Sequence, residues 1–190
     1  PRKNVFRRGN RRPPGEVIAM AANMDASLLV ISAEALEKHP GFVEAAFLAS
    51  LRAEIPAGLF ITHWDRVGDA SKARIRRLLP FLQAYAKFVE TGSALQPPEA
   101  LLDFIRGKKT VLVGEQSSGK TSLVRSVRTR MQGTEFLFSA PPRTHMTSLE
   151  DCGEGTFLAD TPGIRDFALS DMTEEEGKRI FPEICELADT

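Results

Sequence analysis

Gly114-Glu115-Gln116-Ser117-Ser118-Gly119-Lys120-Thr121 is the stretch from which this chain is read. It matches the whole pattern G-x-x-x-x-G-K-[ST], and it stands between the apolar run Thr110 to Val113 and the helically spaced segment Lys120 to Met131. Strand, glycine-rich loop and helix in that order make a phosphate-binding loop rather than a turn that only caps a helix. Backbone N–H groups from Glu115 through Gln116, Ser117 and Ser118 to Lys120 are expected to face phosphate oxygens, aided by the positive end of the helix dipole, and Ser122 is counted among the nucleotide-binding residues. Gly114 and Gly119 allow the backbone angles this needs. Lys120 is expected to bridge the β and γ phosphates, and the Thr121 hydroxyl to enter a magnesium shell.

Outward from the loop, short apolar runs alternate with longer amphipathic ones. Strands are expected near Ser27 to Ser32, Gly58 to Thr62, Lys87 to Glu90, Thr110 to Val113 and Thr156 to Ala159. Helices are expected at Phe42 to Arg52, Ser71 to Ala86 with a kink or break at Pro80, Glu99 to Arg106 and Lys120 to Met131. Asp151 to Gly155 reads as a hairpin turn joining Leu149 to the strand at Thr156. The alternation predicts an α/β fold, a P-loop NTPase with a mostly parallel sheet and helices on both faces. At 190 residues and 42% hydrophobic content one main domain is expected.

A second motif, Asp160-Thr161-Pro162-Gly163, lies about 40 residues beyond the loop. A carboxylate at a strand's end can hold a magnesium-bound water, and Gly163 can offer its N–H to the γ phosphate. Between the motifs, Arg143, Thr144, His145, Met146, Thr147 and Ser148 follow the stiff pair Pro141-Pro142. Thr147 is the expected switch threonine, touching both magnesium and γ phosphate. The residue after the Asp-x-x-Gly motif is the apolar Ile164, which cannot orient a water. His145 is the substitute that the sequence offers, because a neutral imidazole can hydrogen-bond an attacking water near pH 7. Arg143 suits either a charge contact in catalysis or a phosphate or RNA contact.

Only 27 residues follow Gly163, too few to finish the sheet and supply a base-reading loop. The missing half must come from upstream. Phe60-Ile61-Thr62-His63-Trp64-Asp65 ends one strand at the place of a guanine-reading Asn-Lys-x-Asp motif, and Thr91-Gly92-Ser93-Ala94 ends the next like a base-contacting Ser-Ala loop. The motif order is circularly permuted. In this order, with Ala21-Ala22-Asn23-Met24-Asp25, His145, Asp160 to Phe167 and Phe181-Pro182-Glu183, the chain resembles the RsgA (YjeQ) family of ribosome-associated GTPases from about Arg7 to Ile184. The resemblance implies a GTPase using GTP, GDP and Mg²⁺, acting in maturation of the small (30S) ribosomal subunit, stimulated by that subunit and in contact with its rRNA. It also implies that His145 acts in hydrolysis.

The chain departs from that family at Thr62 and His63, which stand for asparagine and lysine, while Asp65 stays. A carboxylate there can accept from guanine N1–H and the 2-amino group, and adenine offers neither donor. The loss of contacts leaves a second reading open: a degenerate module that binds nucleotide and rRNA without efficient turnover. An adenine-nucleotide kinase is a third, weaker reading, lacking an acceptor site or lid.

Charge is uneven although the net is zero. Arg2, Lys3, Arg7, Arg8, Arg11 and Arg12 stand at the start with no acid among the first 12 residues, and seven carboxylates fall between Asp171 and Thr190. A polyanion partner and a solvated tail both fit. By comparison with the family, residues 1 to 15 read as the trailing edge of an OB-fold otherwise absent, 16 to 170 as the permuted GTPase domain, and 171 to 190 as the acidic start of a C-terminal segment. That segment binds zinc in the family, yet Cys185 lacks companion ligands here, so no zinc site is expected. Two distant cysteines, no leader and no apolar run near the roughly 18 residues of a membrane span suggest a soluble, cytoplasmic protein, expected to be a monomer.

Overall fold

The computed structural model describes residues 2–9, 17–133, 147–164, 173 and 175. Five parallel strands form the body of one sheet: β3 (Ala26–Ser32), β4 (Ala57–Thr62), β5 (Phe88–Thr91), β6 (Lys109–Val113) and β8 (Thr156–Asp160). β7 (Ser148–Gly153) closes one edge antiparallel to β8, giving the order β5-β4-β3-β6-β8-β7. Glu154 and Gly155, both with positive φ, make the tight turn between β7 and β8. This is the expected hairpin.

The central strands are apolar on both sides because both sides are covered. Leu28, Leu29, Val30 and Ile31 of β3 are all fully buried, each contributing about 1.5–3 kcal/mol. Their alternation divides the core in two. Leu29, Ile31, Leu59, Ile61, Val111 and Val113 face a layer made by α1 (Ala33–Lys38), α2 (Pro40–Arg52) and α3 (Asp69–Tyr85). Leu28, Val30, Phe60, Leu112 and Leu158 face α4 (Glu99–Ile105) and α5 (Lys120–Gln132). Helices on both faces of a mostly parallel sheet are what the sequence predicts.

Local signals explain the helix ends. The Ser32 side chain accepts from the Ala35 amide at 3.2 Å to cap α1, and Pro40 opens α2 where its missing N–H costs nothing. α3 continues through Pro80 without the break that the sequence allowed there. Pro80 sits on the solvent side, where the carbonyl it leaves unpaired can turn to water.

A second difference lies at the start. Val5–Gly9 (β1) and Val17–Ala22 (β2) form an antiparallel pair that periodicity did not reveal. In Val17-Ile18-Ala19-Met20-Ala21-Ala22 no polar residue marks an outer face, so the alternation is silent. Phe6 of β1 is fully buried in the core cluster beside α2, and the Asn4 side chain bonds both the amide and the carbonyl of Met24. The boundary expected near residue 15 falls between these paired strands.

The sheet order has a consequence for ligands. From β3 the chain moves outward through β4 to β5, and from β6 it moves the other way to β8 and β7. The carboxyl ends of β3 and β6 therefore flank the point where strand order reverses, which is where open α/β sheets hold ligands.

Candidate nucleotide site

At that point β6 leads into the loop 114–119. A Cβ on Gly114 would lie 2.0 Å from the Val30 carbonyl oxygen, so no other residue fits beside β3. Ser117 (φ 63) and Gly119 (φ 96) adopt left-handed conformations that curl the loop, and alternation of this kind creates an anion-binding concavity. Lys120 opens α5 and turns back under the loop, donating to the carbonyls of Gly114 and Glu115, both at 2.8 Å. It is almost fully buried. Burial pushes its ammonium group down to about 8, opposed by the charges of Asp160 and Glu115. A third, longer bond goes to the Ser118 hydroxyl at 3.4 Å, and a buried cation held by neutral oxygens is suited to an incoming phosphate.

From the other side, β8 ends at Asp160, whose carboxylate accepts from the Thr121 hydroxyl at 2.7 Å. Thr161 donates to the Leu112 carbonyl at 2.6 Å, and the Ile164 amide to the Gly114 carbonyl at 3.1 Å. These two contacts lay 161–164 across the loop so closely that a Cβ on Gly163 would come 2.6 Å from the Gln116 Cα. Nothing in the sequence signals either contact. Thr147 is exposed and immediately precedes Ser148, the residue paired with Asp160 across β7 and β8. His145, Arg143 and Thr144 lie outside the described residues.

The resulting cleft has a volume of about 610 Å³ and is lined by His63 and by residues 116–122 and 161–163. Among the described residues no group of three or more His, Cys, Asp and Glu side chains could hold a metal ion. The Thr121 and Asp160 pair nevertheless fits magnesium, which takes few protein ligands and completes its shell with phosphate oxygens and water. Cys152 is a core residue of β7, its thiol pushed up to about 12 by burial.

On the base side the residues are placed less uniformly. Thr62, expected to touch the nucleotide, is instead fully buried, and its hydroxyl donates to the Ser118 carbonyl at 2.7 Å. A hydroxyl one carbon from the backbone reaches the loop but not past it. His63 lines the cleft from a left-handed conformation (φ 54), which a non-glycine residue adopts at a cost of about 1–2 kcal/mol. Asp65 is exposed in a single 3-10 turn, Trp64–Arg66. Ser93 is also exposed, and Ala94 is buried with its Cβ 3.1 Å from where a Gly119 Cβ would stand. Asp65, Ser93 and Ala94 lie outside the lining of the phosphate cleft.

These features agree with comparisons to other proteins. A family profile described as RsgA GTPase matches residues 1–170. The small ribosomal subunit biogenesis GTPase RsgA of Paraburkholderia phytofirmans is 32% identical over 86% of this chain and 55% of its own length. The protein of the same name from Marinobacter nauticus is 29% identical over 96% of this chain and 54% of its own. The chain thus spans about half the length of the curated relatives it matches. Among solved structures, YjeQ from Thermotoga maritima superimposes with a TM-score of 0.71 at 22% identity, covering 96% of this chain and 60% of that one. YloQ, described as a circularly permuted GTPase, gives 0.65 at 24% identity, with 98% and 57% covered. The fold is therefore that of the permuted GTPases, and the chain belongs to the RsgA GTPase family.

Proposed function

We propose that this chain binds GTP and GDP with Mg²⁺, hydrolyses GTP, and acts in maturation of the small ribosomal subunit. The observation that carries the nucleotide reading is the buried Lys120 beneath the loop, beside the Thr121 and Asp160 pair. Lys120 can exchange its carbonyl partners for β- and γ-phosphate oxygens, and the loop amides 115–120 add donors that need no reorganisation. Thr121 and Asp160 would hold the magnesium ion, which supplies neutralisation of charge on the transferred phosphoryl group. Gly163 brings its backbone against Gln116, where an amide can meet the γ phosphate. Thr147 is assigned to the magnesium and γ-phosphate contact and His145 to orienting water, the latter on sequence alone. The ribosomal partner rests on the names of the relatives and on family membership. It carries with it contact to rRNA and a cytoplasmic setting. Among the described residues no helix is long and apolar enough to cross a membrane.

Titration with GDP, GTP, ADP and ATP in the presence of Mg²⁺ tests the nucleotide reading. Guanine selectivity supports it, equal binding of both purines favours a degenerate module, and no binding overturns it. Multiple-turnover phosphate release with and without small subunits tests the enzyme. A specific observation favours the alternative of a binding module with little turnover: Ile164, where a water-orienting side chain would stand, is buried in the core. No stimulation by small subunits would decide for that module, and a His145→Ala protein with undiminished stimulated turnover would remove His145 from the mechanism.

A further inference from the structure

We infer that Thr62 is a positioning residue for the phosphate-binding loop and does not read the base, an inference that rests on the nucleotide reading above. Thr62 ends β4, two strands from the loop, and its side chain is fully enclosed. A hydroxyl has one hydrogen to donate. Two carbonyls are in range, Ser118 at 2.7 Å and Ile31 at 3.3 Å, and the shorter and stronger bond is to the loop. That hydrogen is therefore withheld from O6 and N7, the acceptors on the guanine edge.

The contact falls where the loop is most constrained. Ser118 is 2% exposed, and the next residue, Gly119, takes the left-handed turn into α5. A Cβ at Gly119 would stand 3.8 Å from Thr62 Cγ2 and 3.1 Å from Ala94 Cβ. The ends of β4 and β5 thus grip the loop from one side, Thr62 by a hydrogen bond and Ala94 by contact, while 161–164 covers it from the other. Without the hydroxyl, the buried Ser118 carbonyl loses this donor, and the peptide that carries the Gly119 amide loses a bond that fixes its orientation.

The experiment compares wild type, Thr62→Val and Thr62→Ser for Mg²⁺-dependent affinity toward GDP, 7-deaza-GDP and 6-thio-GDP, well below each protein's melting temperature. The analogues lack or weaken N7 and O6 in turn. Thr62→Val should weaken all three ligands by the same factor, about five- to tenfold, and Thr62→Ser should stay within about twofold of wild type. Rescue by serine separates positioning by the hydroxyl from mere packing. Unchanged affinity in Thr62→Val, a loss that shrinks for either analogue, or a serine variant as weak as the valine one would each overturn the inference. Thr62→Ala replaces Thr62→Val if the latter does not fold. A wild-type chain that binds none of the three overturns the nucleotide reading itself, a failure visible before any variant is made.

Discussion

At the end of β6 the loop, Lys120 and 161–164 interlock so tightly that neither Gly114 nor Gly163 has room for a methyl group, whereas at the ends of β4 and β5 Asp65 and Ser93 stand in solvent. The phosphate side is built from backbone. Its shape comes from two left-handed residues, and its lysine is buried beneath them. The base side is built from side chains on short turns, and two of its residues depart from the family pattern at Thr62 and His63. Backbone recognition of phosphate tolerates little change because every contact depends on one loop path, while a side-chain reader can lose a contact and keep the cleft.

That contrast breaks first if Lys120 is dispensable. Lys120→Met should lower affinity for GDP and GTP by at least a hundredfold, since a buried charged contact is worth about 3–5 kcal/mol, and calorimetric titration measures it. Retained binding would mean that the loop amides act alone.

Gly163→Ala comes next. The added carbon meets the Gln116 backbone rather than a yielding side chain, so about 1–3 kcal/mol of strain is expected, a roughly ten- to hundredfold loss in GTP affinity. Comparable binding in that variant would show that 161–164 lies elsewhere when nucleotide is bound.

The pH dependence sharpens the phosphate side. With Lys120 near 8 in the free protein, its charge is absent above that pH, while bound phosphates keep it protonated. Nucleotide affinity should therefore fall as pH rises from about 8 toward 10, by up to about tenfold per unit. The sign for folding is the opposite. Lys120 is depressed from 10.5, so the unfolded chain binds more protons between about 8 and 10.5, and nucleotide-free stability from this residue rises across that window. The total gain is ~3 kcal/mol, and Lys120→Met should show none of it in thermal melts against pH.

On the base side Asp65→Asn should cost about tenfold in GDP affinity and improve binding of xanthosine diphosphate, because an amide donor suits a 2-oxo group where a carboxylate suited a 2-amino group. An unchanged GDP affinity would place base reading elsewhere than Asp65. The smallest effect belongs to His63→Lys, a few-fold gain in guanine affinity from a longer aliphatic stem over the base. A loss there would give His63 a role of its own.

Much of this arrangement was legible in one dimension. The phosphate loop, Asp160 to Gly163, the alternation of strands and helices, and the permuted order all follow from local signals: a glycine where a carbonyl approaches, a lysine and threonine opening a helix, apolar runs of strand length. The β1 and β2 pair was not legible, since its burial comes from Phe6 and Met20 packing into a core built by distant segments, and β2 shows no outer polar face. The Thr62 contact was not legible for a related reason. Its position in the chain marks the base motif, but whether a hydroxyl faces a ligand or a neighbouring carbonyl depends on how close β4 lies to a loop 56 residues later. The sequence by itself determined which groups are present and which backbone shapes they permit. Only the tertiary structure decided their pairing, because Thr62 with Ser118, Thr121 with Asp160, and Ile164 with Gly114 are contacts between segments whose distance is set by sheet order and not by spacing along the chain.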